Sequence, residues 1–164
     1  MMLGMSLSTF TTVHVIISLL GIVSGLIVIF GMFSSKRLGG LTALFLLMTV
    51  LTSVTGFMFP FTHVTPGIKV GVISLVLLLI AILARYSFHM AGKWRWIYVL
   101  TVIISEYLNV FVLVAQSFEK VPALHAMAPT QSEPPFLVAQ LVVMAIFILL
   151  TILAVKKFHP ELGH

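Results

Sequence analysis

Apolar residues fall in five long runs, at about residues 12–33, 41–59, 68–86, 96–117 and 136–155, each ended by a polar or turn-forming segment. Every run is close to the roughly 20 residues a helix needs to cross about 30 Å of hydrocarbon. A helix also satisfies its own backbone where no water is available. The breaks have turn chemistry: Ser34 and Ser35 with Lys36, Arg37, Gly39 and Gly40; Pro60 with Pro66 and Gly67; Ser87 to Gly92; the long connector 118–135; and the stop at Lys156 and Lys157. The pattern predicts an all-α integral membrane protein, one membrane domain over residues 1–164, built as a bundle of five transmembrane helices. Met1 to Phe10 has no basic segment and no small-residue cleavage site, so it reads as retained and not as a signal peptide.

Composition strengthens this reading. Hydrophobic residues make up 60% of the chain and charged ones 8%, against about 45–50% and about 25% in soluble domains. The net charge of +5 does not point to nucleic acid, because the nine Lys and Arg are scattered between the runs. They speak of topology instead. If five spans alternate, Lys36, Arg37, Arg85, Lys93, Arg95, Lys156 and Lys157 share one face, and Lys69 and Lys120 the other. The positive-inside rule then places the N-terminus outside and the C-terminus in the cytoplasm. Tyr86, Trp94, Trp96 and Tyr98 cluster at the same cytoplasmic level, as interfacial aromatics do. A re-entrant second span would scatter the basic residues and is disfavoured. The expected location is a bacterial cytoplasmic (inner) membrane.

Polar residues inside the runs are few, so each is informative. His14, Ser18, Gly21 and Gly25 recur on one helical face. Gly21 and Gly25 form a GxxxG pair, which allows close helix contact and is a candidate face for a homo-oligomer or a larger membrane complex. Glu106 lies near the middle of the fourth run, with Asn109 and Gln116 continuing its face. A charged carboxylate at that depth costs a few kcal/mol, so it is expected to be neutral, paired or facing a wet cavity. On the predicted orientation His14, Ser18, Thr52, Thr55, Ser74, Asn109, Gln116 and Gln140 all fall in the outer half, with Glu106 as their floor. That implies a polar pocket open to the extracytoplasmic side and closed below by apolar packing.

Three functions compete for it. A redox cofactor, haem b or a quinone, could sit in the pocket with His14 as one haem ligand. A small solute could bind there, or cross with a proton carried by Glu106. With no pocket chemistry at all, the chain would be a structural or assembly subunit. His14, His63, His125, Glu119 and Glu133 are also candidate zinc or copper ligands at the outer face, but none stands at a diagnostic spacing. Cys and Asp are absent, and no nucleotide-binding loop, GxSxG or HExxH occurs. The absence of Cys makes the topology simple to test: single cysteines replacing His89 and His159 are expected to react from the same side of the membrane. Reaction from opposite sides would overturn the five-span alternation.

Overall fold

The computed structural model describes residues 4–36, 38–58 and 66–158. Five helices in it are long and apolar enough to cross a membrane, and among the described residues the regular elements are all helical. They are α1 (Leu7–Met32), α2 (Gly39–Phe57), α3 (Pro66–Ile82), α4 (Lys93–Lys120) and α6 (Pro134–Lys157). A short α5 (Pro122–Met127) lies in the long connector, where Pro122 supplies its first turn. α1 begins earlier than the apolar run because Ser6 caps it, the Oγ accepting from the Thr9 N–H at 3.2 Å. The Thr11 and Thr12 hydroxyls donate back to the Leu7 and Ser8 carbonyls, so polar residues are absorbed within the helix.

The helices pack largely in chain order. α1 lies along α2, α2 meets α3, and α3 meets α4, which also touches α1 and carries α6 on its other side. α4 is therefore the central element. The end of the bundle where Met32 lies is filled by large side chains, among them Ile29, Phe45, Leu78, Val102 and Ile103, all buried. A π-helical turn, Leu83–Ser87, continues α3 there and carries Arg85 into the bundle. Its guanidinium donates to Tyr98 Oη at 2.8 Å and Thr42 Oγ1 at 3.4 Å. Arg95 donates to the Val155 and Phe158 carbonyls, both at 2.9 Å, and Ser35 to the Lys157 carbonyl at 2.8 Å. These bonds satisfy carbonyls that the end of α6 leaves open, with a cation on the favourable end of its dipole.

Gly21 and Gly25 face inward. A Cβ on Gly21 would lie 3.3 Å from Thr49 Oγ1, and one on Gly25 would lie 2.7 Å from both Glu106 Cδ and Phe45 Cδ1. The small face of α1 is thus occupied within the chain, by α2 and α4. Gly25→Ala is expected to cost about 1–3 kcal/mol through overpacking, seen as a lower thermal unfolding midpoint in detergent. Gly40→Ala, where a Cβ meets nothing within 4 Å, is the control and does not lower it.

Candidate functional site

At the Leu7 end the same four helices, α1 to α4, part around a cavity of about 580 Å³. Side-chain size explains the change. Ser18, Ser53, Gly56, Gly71 and Ser74 face one another here, where the opposite end has Ile29, Phe45, Leu78 and Val102. Small residues bring the backbones no closer than their neighbours allow, and a void is left. Its lining runs on α1 from Leu7 to Ile22, about 22 Å at 1.5 Å per residue. The walls are mostly apolar, from Val15, Ile22, Ile68, Val70, Val112 and Leu113, and polar groups project between them.

His14 is the best-defined of these. Its Nδ1 lies 2.6 Å from Thr55 Oγ1, and that hydroxyl lies 2.7 Å from the Leu51 carbonyl. The carbonyl can only accept, so it takes the hydroxyl proton, and Nδ1–H donates to Thr55. The Nε2 nitrogen is then the basic one. Ser18 and Thr52 donate to the Val15 and Met48 carbonyls of their own helices, which leaves their oxygens as acceptors. The Ser74 hydroxyl is buried in the wall without a hydrogen-bond partner.

Asn109 crosses the floor, where its Nδ2 donates to Thr49 Oγ1 at 3.3 Å. Glu106 lies one turn below, fully buried against Gly25 and Phe45. Asn109 follows Glu106 by three residues on α4, but its hydrogen bond goes to Thr49, and both Glu106 oxygens lack a partner. Tyr107 turns the other way, its ring 5.6 Å from that of Phe147 on α6.

Of the residues singled out in the sequence, His14, Ser18, Thr52, Ser74, Asn109 and Gln116 line the cavity. Thr55 supports His14 from behind. Glu106 is below the floor and does not form it. Gln140 is not in the cavity: it faces α4 from α6, with Nε2 donating to the Phe111 carbonyl at 3.2 Å. That bond puts Gln140 level with the cavity, but its direction was not readable from one helix alone. Lys120 is the lining residue that sequence reasoning missed. It shares a face with Asn109, Leu113 and Gln116, which precede it by 11, 7 and 4 residues, a spacing that would have found it.

The outer-face metal set does not come together. Among the described residues no three His, Asp or Glu side chains converge, and His63 lies outside them. His125 and Glu119 are exposed on α5 and the end of α4. Glu133 precedes α6 and accepts from the Thr130 hydroxyl and N–H and the Ser132 N–H. Those bonds, the Thr130 hydroxyl foremost, hold its carboxyl below the usual range. It is a turn-stabilising residue here.

No protein-family model, curated protein or solved structure matches the chain. Function therefore has to be read from the cavity. Single cysteines at Ser18 and Gln116 are expected to react with a small water-soluble thiol reagent, whereas one at Gln140, sealed between α4 and α6, stays protected. Equal reactivity at all three positions would contradict this cavity.

Proposed function

We propose that the chain is a ligand-binding protein of a bacterial cytoplasmic membrane, oriented with its N-terminus outside, so that the cavity faces the extracytoplasmic side. The orientation is supported by the charge asymmetry, seven Lys and Arg against two. The ligand is a small amphipathic molecule with an oxygen-bearing head and a hydrocarbon body. The observation that carries this reading is the cavity itself: about 580 Å³, apolar walls, and polar groups converging from all four of its helices. Such a volume and lining suit an organic ligand of modest size.

Membrane quinones answer that description. The Gln116 amide and Lys120 ammonium offer donors to a carbonyl, and the Ser18 and Thr52 oxygens offer acceptors to a quinol hydroxyl. A haem b group fits less well, because among the described lining residues His14 is the one imidazole, and no methionine joins it. Assembly through Gly21 and Gly25 is the alternative reading. Both glycines are covered inside the chain, which favours the cavity over that face.

A short-chain quinone is expected to bind the protein saturably in nanodiscs, as followed by equilibrium dialysis. Gln116→Ala removes one hydrogen bond, about 0.5–1.5 kcal/mol, and weakens binding roughly 2- to 10-fold. Gln140→Ala, outside the cavity, leaves it unchanged. Absence of saturable binding in the unmodified protein would overturn the quinone assignment.

A further inference from the structure

Beneath the cavity lies a carboxyl group that no other part of the fold uses. Glu106 is 0% exposed and neither oxygen has a hydrogen-bond partner; the adjoining Ser105 hydroxyl has none either. Burying polar groups unpaired is costly, and an apolar side chain of similar size would fill the same space without that cost. Gly25 and Phe45 close around the carboxyl from α1 and α2.

Among the described residues no counter-ion reaches it. α2 has no ionisable residue between Gly39 and Phe57. On α1, His14 precedes Gly25 by 11 residues, about 16 Å along the axis. Lys69 stands near the start of α3, and Arg85 follows α3 in the π turn, bonded to Tyr98. Tyr98 precedes Glu106 by eight residues, about 12 Å. On α4 itself Lys93, Arg95, Glu119 and Lys120 are at the ends, and Tyr107 packs toward α6, whose Lys156 and Lys157 close its last turn. A carboxylate here would be shut off from bulk solvent with no cation among the described residues beside it, so the closed form is the acid.

One residue separates it from the cavity. Asn109 lines the cavity and lies one turn from Glu106. Its bond to Thr49, at 3.3 Å, is at the long end for an N–H donor. We propose that Glu106 is a proton-binding site that exchanges with the cavity through Asn109. With the amide on Thr49 the site is shut and holds its proton. Rotation of Asn109 toward Glu106 opens the floor, the O–H bond of the acid breaks, and the proton passes to water in the cavity. The carboxylate left behind accepts the Asn109 N–H in place of Thr49. Return of a proton from the cavity reverses each step. A cavity ligand that touches Asn109 would bias the proton, and the proton the ligand, by the same factor.

The proton site depends on the cavity and not on its occupant, so it can be tested without a ligand. Infrared difference spectra of the full chain in nanodiscs read the C=O stretch of a protonated acid. In the unmodified protein that band is expected to shift in D2O and to vanish in alkaline buffer. Glu106→Gln removes it, which assigns it against the three other glutamates; Glu106→Asp displaces it should the glutamine variant fail to fold. Asn109→Leu removes one hydrogen-bonding relay and slows the deuterium shift about tenfold, the factor for about 1.4 kcal/mol. A Glu106 band that keeps its hydrogen for hours in D2O and persists at alkaline pH overturns the site. Exchange as fast in Asn109→Leu as in the parent overturns the route. Neither result touches quinone binding, and failure of quinone binding leaves both tests standing.

Discussion

Hydrocarbon offers nothing for a polar group to bond to, and in this bundle the group most exposed to that constraint is the Glu106 carboxyl. It can lie where it does only because α1 presents Gly25 at that level; any side chain there would overlap Glu106 and Phe45. Gly21, one turn away, lets α1 settle on Thr49 in the same manner. The approach of α1 to α2 and α4 is therefore set at two adjacent turns. On one side of that level the helices are packed solid with large apolar residues. On the other, small and hydroxyl-bearing residues leave a space. The bundle is a plugged vessel whose stopper is drawn around an acid.

Much of this was readable in the chain. The five helices were legible because nothing but a membrane span explains apolar runs of that length. Their ends were less so: Thr11 falls before the first apolar run, yet its hydroxyl is bonded within α1. The shared face of His14, Ser18, Gly21 and Gly25 was legible from helical spacing, but whether it met another chain or this one depends on helix rotation. Gln140 makes the same point, since it has the depth of the cavity and the wrong azimuth. Arg85 reads as a basic residue at the cytoplasmic end of the third run, flanking the polar link, yet the π turn after Ile82 swings it in beside Tyr98. Candidate metal ligands were a matter of composition, and composition does not bring side chains together.

The polar groups of the cavity divide by how they are held. Ser18 and Thr52 use their protons on carbonyls of their own helices, as hydroxyls in apolar helices commonly do. They keep the helices satisfied and present acceptors. Gln116 and Lys120, nearer the mouth, are exposed and carry the donors. Donors thus stand near the mouth and acceptors deeper.

The clasp at the closed end bears on how the protein is made. Ser35 and Arg95 bond to residues 122, 60 and 63 positions later in the chain, so those donors have no such acceptors until α6 has been inserted. The cavity has no such dependence: every described residue that lines it belongs to α1 through α4. As spans leave the ribosome in order, the four helices around the cavity are in place one helix before the bundle is complete, and the last helix serves to lock them.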